Sequence, residues 1–492
     1  MVKNLKSLLI SNPFKLFAVL VAIRLIYITM PILEGTAMRQ VQTAMIARNF
    51  FKDGINILYP RVDFFGNAIG YLVLEFPLMN TLAAFVYMLL GGVHEWVGRF
   101  LSIAFFSGAA CFLYCITKRI FEEKTAFWAV LVFGLSPLSI IFSRAFMPDF
   151  EMIFFCMGAL YFFLSFCDRN KYLMFWASAL FLSLAMLVKP HSFYILVPLL
   201  YLVWRRQNWK FIVDYKNWLY LAIAILPAFI WYFHGTMIHA SFTQSEVYNY
   251  QMLNWFNPAI LLDKNLYINI AKIHMGIFLT PVGLILFLAS LFIKTNGEQD
   301  IIWAWLFGGL LYMLAFITHM WEPYYHLVLL PIISIFIARA IVQIRCIDWK
   351  KLHLNYKQIY AILIILFLPF FLRYSVYAYV VPKGYRYVSE AGRRIQDISK
   401  KEDLIVASAA GGPQALYFCD RKGWTFTLPE GDPNKNVTAI KRLKSYIENG
   451  AEYFVAAKTD DFEKSPYFKK YLFDNYDLVE YQKGKFIIFK LE

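Results

Sequence analysis

Long apolar runs broken by short polar loops fill the first 381 residues of this 492-residue chain. Runs able to cross ~30 Å of hydrocarbon, some of them shortened at the ends, fall near 14–33, 97–117, 126–142, 150–167, 172–188, 191–204, 217–233, 275–293, 301–318, 324–344 and 359–380. A further run, Phe76–Gly92, is apolar but short, carries Asn80 and ends in Gly91-Gly92. Basic residues decide how it lies, because short cytoplasmic loops collect Lys and Arg. If it lies flat, then Lys3, Lys6, Lys15, the loops 118–124, 169–171 and 205–216, Lys294 and the loop 345–357 share one side, with seventeen basic residues. The other side holds nine (Arg39, Arg48, Lys52, Arg61, Arg99, Arg144, Lys189, Lys264 and Lys272) in much longer loops. A spanning 76–92 would invert everything after it and reverse the bias. The pattern therefore predicts eleven spanning helices, a cytoplasmic N-terminus and an interfacial helix at 76–92. Loops 34–96, 143–149, 189–190, 234–274 and 319–323 face outward.

From about Pro382 the period and the composition change together. Residues 383–492 hold 19 Lys+Arg and 16 Asp+Glu in 110 positions. Asp403–Ser408, Ala415–Cys419, Tyr453–Ala457 and Phe486–Phe489 read as short buried strands, and Asn436–Asn449 has helical spacing with Gly450 as its stop. The fold class expected is thus an α-helical polytopic membrane protein over 1–381 with a small exported α/β domain over 382–492. That domain shows neither a Gly-rich phosphate loop nor metal-ligand spacing, which favours a structural or acceptor-positioning role over catalysis.

Composition agrees. Hydrophobic residues are 60% and charged residues 16%, against about a quarter charged in soluble proteins. The formal net charge of +15 belongs to loops beside an anionic leaflet, not to a nucleic-acid partner. Of the six Cys, only Cys419 lies in the polar C-terminal region, so no disulfide forms within it. No cleavage-like motif follows the first apolar run, which reads as a retained helix.

Acids, bases and cations gather at the outer boundary, where ionisable groups are functional candidates. They are Glu34, Arg39 and Gln40 after the first helix, Glu75 before Pro77, Arg144 and Asp149 in the second outer loop, and Lys189 in Lys189-Pro-His191. His239 and His274 follow in the long loop, and Glu322-Pro-Tyr-Tyr325-His326 opens the tenth helix. Plainer readings stand beside these: a solvated Glu75 or Glu322, an Arg144–Asp149 pair, surface histidines, and an Arg24 that pairs within the bundle or reaches a lipid phosphate. Glu34 and Asp149 stand out by their joint position.

Residues 34–49, Glu-Gly-Thr-Ala-Met-Arg-Gln-Val-Gln-Thr-Ala-Met-Ile-Ala-Arg-Asn, resemble the first outer loop of GT-C membrane glycosyltransferases. The similarity is to the branch of protein O-mannosyltransferases and the lipid A aminoarabinose transferase. It extends over about residues 14–200 through Glu75-Phe-Pro77, Gly98-Arg99-Phe100, Asp149 and Lys189. The family usually has Asp where this chain has Glu34. The resemblance implies a polyprenyl-phosphate-linked sugar as donor, a lipid, glycan or protein as acceptor, and inversion at the anomeric carbon on the non-cytoplasmic face of a bacterial or archaeal inner membrane. It implies Glu34 as general base and Asp149 as the residue orienting the acceptor or a metal. Arg39, Gln40, Glu75, Arg144, Lys189, Tyr325 and His326 would line the donor-phosphate and substrate site. A divalent ion (Mg, Mn or Zn) would draw on Asp149, Glu75 and His274. The competing classes are a polyprenyl-linked glycan ligase or polymerase, and a lipid or solute transporter.

Overall fold

In the computed structural model, which describes residues 13–243, 256–347, 349, 353–409, 411–429 and 433–491, the first apolar run forms α1 (Pro13–Leu25). At 1.5 Å per residue α1 covers only ~20 Å. It stops well short of residue 33, and residues 26–36 are irregular, with Tyr27 at φ 51°. Lys3, Lys6, Lys350 and Lys351 of the charge argument lie outside the described residues. The polar stretch that follows becomes α2 (Ala37–Asp53), buried along most of its length. The short run forms α3 (Leu78–Leu90), stopped by Gly91 in the left-handed region. It packs on α2 and on the long α4 (Glu95–Ile120).

The run 126–142 is split. Pro137 has no N–H to continue a helix, so α5 (Glu123–Leu135) gives way at Ser136 to the short α6 (Pro137–Phe142). Then come α7 (Asp149–Arg169), α8 (Tyr172–Val188), α9 (Leu196–Gln207) and α10 (Tyr215–Ile238). The helix α11 (Lys264–Ile273) runs into one π-helical turn, His274–Phe278, and then bends by 103° into α12 (Thr280–Ser290). The bundle ends with α13 (Ile301–Ala315), α14 (Leu330–Gln343) and α15 (Tyr356–Ser375).

Among the described residues, five helical stretches are long and apolar enough to cross a membrane: Glu95–Ile120, Asp149–Arg169, Tyr215–Phe242, Pro323–Cys346 and Tyr356–Tyr385. The bent pair Lys264–Phe278 and Thr280–Ser290 makes a sixth. The remaining apolar runs form shorter or broken helices. Pro323–Cys346 and Asp149–Arg169 are the most enclosed, while Tyr356–Tyr385 is only 11% buried over its apolar window and lies at the margin of the bundle.

The C-terminal region holds a five-stranded sheet in the order β2-β1-β3-β5-β4. Its strands are β1 (Leu404–Ser408), β2 (Gly423–Thr425), β3 (Ala451–Ala456), β4 (Asp477–Gln482) and β5 (Phe486–Lys490). The first three are parallel, and β5 runs antiparallel to β3 and β4. Residues 415–419, expected as a strand, are instead a helix, Gln414–Cys419. A short buried apolar run does not tell helix from strand by its period, and the parallel β1–β2 pair needs a crossover there.

This domain sits directly on the first outer loop. Arg48 donates to the Tyr417 carbonyl at 2.7 Å and pairs with Asp63 at 2.7 Å and Asp420 at 2.8 Å. The Gly66 N–H donates to the Gly423 carbonyl and the Gly423 N–H to the Asp63 carbonyl across the junction, and Trp424 forms a β-bridge with Phe65. The loop 34–96 and the C-terminal domain therefore lie on one side of the membrane.

Candidate active site

Three buried arginines gather where α1, α4 and the loop 143–148 meet. A guanidinium carries five donors in a fixed fork, and here backbone carbonyls take most of them. Arg24, on α1, donates to Ser143 Oγ, Ser139 Oγ and the carbonyls of Leu20 and Gly134, and lies 3.5 Å over the Phe106 ring. Of the two expected roles, it takes the one within the bundle. Arg144 donates to the carbonyls of Arg24, Ile26 and Tyr27. It does not pair with Asp149, and its expected place in a phosphate site is taken by this capping of α1. Arg99, on α4, donates to the carbonyls of Ile28, Met30 and Pro31. It also holds Glu34 through both carboxylate oxygens at 2.7 Å, with the pair almost wholly enclosed. Gln40 joins the two outer loops, donating to the Glu34 carbonyl and accepting from the Phe146 N–H. The Glu34 carboxylate is thus committed to fixing the linker that leads from α1 to α2.

A second cluster is less fully paired. Arg39 binds Glu75 at 2.5 Å and Gln42 Oε1 at 2.7 Å. Lys189, at the end of α8, binds Asp149 Oδ1 at 2.7 Å. Burial pushes the Glu75 carboxyl up, but the Arg39 guanidinium and the Lys189 ammonium outweigh it and hold Glu75 below the usual carboxylate value. The charge of the second pair therefore reaches the first. Asp149 Oδ2 is buried with no hydrogen-bond partner, as are both oxygens of Glu151 in the same first turn of α7. The Lys189 ammonium lies 5.2 Å from the Tyr324 ring centroid, and Tyr325 packs against Tyr324, His191 and His319.

The histidines go elsewhere. His274 Nε2 meets His326 Nδ1 at 3.0 Å, and His326 Nε2 bonds the Met320 carbonyl, so these two fix the π turn against the 317–329 loop. Among the described residues no group of three or more His, Cys, Asp and Glu side chains could hold a metal ion. The expected trio Asp149, Glu75 and His274 is not brought together among the described residues: His274 turns to His326. Tyr325 packs in the ring cluster beside Lys189 and His326 supports the π turn, while His239 opens a second π turn, His239–Thr243, that continues α10.

The family model of dolichyl-phosphate-mannose-protein mannosyltransferase matches residues 75–233, which include Glu75, Asp149, Glu151 and Lys189. ArnT from Cupriavidus metallidurans, solved bound to undecaprenyl phosphate, aligns at a TM-score of 0.66 and 12% identity over 97% of this chain and 98% of that one. The chain has the fold of the GT-C membrane glycosyltransferases. AglB, the oligosaccharyltransferase of Archaeoglobus fulgidus, solved with an inhibitory peptide and a dolichol-phosphate, aligns at 0.59 and 13% identity over 96% of this chain and 73% of that one. An uncharacterised protein of Aquifex aeolicus is 28% identical over 157 residues, 32% of this chain, and the match spans about a third of that relative's length. Its apolar helices and this fold make the protein an integral membrane protein, and its paired and orphaned polar groups lie at the start of α7 and the end of α8.

Two members of the cluster escape sequence reading. Glu151 sits inside an apolar run and looks like its tolerated exception. Tyr324 reads as one more aromatic in a chain that is 19% Phe, Trp and Tyr.

Proposed function

We propose that the protein transfers a sugar from a polyprenyl-phosphate donor to a hydroxyl or amine acceptor on the non-cytoplasmic face, with Asp149 as general base. The carrying observation is the orphaned Asp149 Oδ2, facing no partner while Oδ1 is held by Lys189. A general base needs an available oxygen at a fixed place, and both oxygens of Glu34 are already engaged by the Arg99 charge, whereas Asp149 Oδ2 is engaged by nothing. In the step, Asp149 takes the acceptor proton as the acceptor atom bonds the anomeric carbon. The bond from that carbon to the phosphate oxygen breaks, and polyprenyl phosphate leaves with the electron pair and inversion of the stereocentre. Negative charge gathers on the leaving phosphate. Lys189, with donors left beyond Asp149, and Arg39 meet it as fixed cations.

The test is transfer of radiolabelled sugar from synthetic polyprenyl-phosphate sugars by the purified protein. Asp149→Asn should lose ~10²–10⁴ in rate while inserting and folding normally. Lys189→Met should weaken donor binding far more than Lys189→Arg. Normal turnover by Asp149→Asn removes the base assignment.

A further inference from the structure

Around the two ion pairs the structure leaves an unusual set of buried polar atoms unpartnered. They are Asp149 Oδ2, both oxygens of Glu151, Gln42 Nε2 and His191 Nδ1. Glu151 has no solvent exposure and Gln42 is 1% exposed. Several of them are tied to the two ion pairs through bonds and contacts. Gln42 is bonded to Arg39, which is bonded to Glu75. The Glu75 carboxylate lies close enough to Glu151 to act on it electrostatically. His191 stands two residues from Lys189 and acts on the same ring cluster, against Tyr312, Phe316 and Tyr325. A buried carboxyl with neither oxygen bonded costs ~1–3 kcal/mol or more. Proteins rarely leave several such groups side by side unless something else satisfies them.

Asp149 has its use as base; Glu151 has none in that scheme. Phosphate does not suit it, because a carboxylate repels an anion and the cations of the site already face the phosphate. Hydroxyl groups suit it well, since each O–H donates to a carboxyl oxygen. We propose that Glu151, assisted by Gln42 and His191, is a positioning residue that binds hydroxyl groups of the donor sugar and sets which sugar is accepted. Gln42 offers an N–H to a sugar oxygen, and Glu151 accepts from a sugar O–H. This rests on the glycosyltransferase reading above.

The experiment uses the full-length protein in detergent or liposomes with polyprenyl-phosphate mannose, glucose, galactose and arabinose, followed by the monodeoxy series of whichever is turned over. Glu151→Met should lower kcat/KM for the accepted donor roughly tenfold or more. It should leave thermal stability equal or higher, because it removes a buried unpaired polar group. One monodeoxy donor should be as poor with the wild type as the full donor is with Glu151→Met, and the two losses should not add. Glu151→Gln, which keeps a carbonyl acceptor in place, should retain most activity. Wild-type kinetics for Glu151→Met, or additive losses across the whole deoxy series, would overturn the proposal while leaving the transferase reading intact. If Glu151→Met does not fold, Glu151→Gln decides: it must change the ranking of the deoxy donors, and an unchanged ranking overturns the proposal. No turnover of any donor by the wild type is the separate outcome that defeats the transferase reading.

Discussion

At the scale of single residues, the charged groups of the outer face divide by whether their bonds are complete. Glu34 and Arg99 form a closed pair, and Arg99 spends its other donors on the linker carbonyls. Removing one member of a buried pair strands the other, at a cost of about 3–5 kcal/mol. Glu34→Gln should therefore lower the unfolding temperature of the purified protein sharply, and any lost activity should follow the lost fold. A variant with normal stability and no turnover would restore Glu34 as base. Arg39 and Glu75 allow a finer test. Glu75→Gln should be destabilised, because the Arg39 charge loses its partner, whereas Arg39→Met combined with Glu75→Leu should recover most of that stability. Activity should not recover with it, since the double variant has lost a cation that faces the phosphate. A double variant that is both stable and active would make the pair purely structural. Sequence alone marked Glu34, Glu75, Asp149 and Lys189 as candidates because each punctuates an apolar run. It put Glu34 and Asp149 first and took Glu34 as the base, but which of the two is free depends on partners far along the chain, 65 positions for Arg99 with Glu34 and 40 for Lys189 with Asp149.

At the scale of elements, legibility follows period and length. The long apolar helices and the α/β alternation at the C-terminus are readable because burial imposes a pattern over many residues. Helix ends and breaks are not, since they depend on tertiary bonds. Thus α1 stops at Leu25 where Arg144 and Arg99 collect the carbonyls beyond it, and α11 bends into α12 beside a His–His contact. The second outer loop, which delivers Asp149, is set by one close approach. A Cβ on Gly98 would stand 2.1 Å from the Phe146 ring, and Phe146 is wholly buried, with its N–H on Gln40. The ring cannot move without shifting the loop that leads to Asp149. Gly98→Ala should cost roughly 1–3 kcal/mol through overpacking and lower kcat more than donor affinity, because Asp149 shifts while Arg39 and Lys189 stay. Wild-type kinetics together with wild-type stability would show that the loop tolerates the displacement.

At the scale of the whole molecule, the join between the first outer loop and the C-terminal domain links topology to mechanism. Arg48 and Lys52 on α2 meet Asp420, and Asn67 donates to the Asn449 carbonyl, so domain and loop share a side whichever side that is. The basic loops then decide which. Lys118 and Arg119 end the helix that Glu95 begins, Arg169 ends the helix that Asp149 begins, and Lys171 precedes the helix that Lys189 follows. By the positive-inside rule the basic ends are expected in the cytoplasm and the ion-pair cluster on the opposite side, the side the proposed function requires. A reporter that folds only outside the cytoplasm should be active when fused after residue 385 and silent when fused after residue 210. Signal at 210 and none at 385 would invert the membrane orientation but keep the docked domain. Signal at both would mean that the fusions disturb insertion, which cysteine labelling of intact cells at Leu58 and at Trp209 resolves: both side chains are exposed, and only Leu58→Cys should react with an impermeant reagent. Reaction at Trp209→Cys alone would place the sugar-transfer site on the cytoplasmic face and overturn the assignment of an exported acceptor.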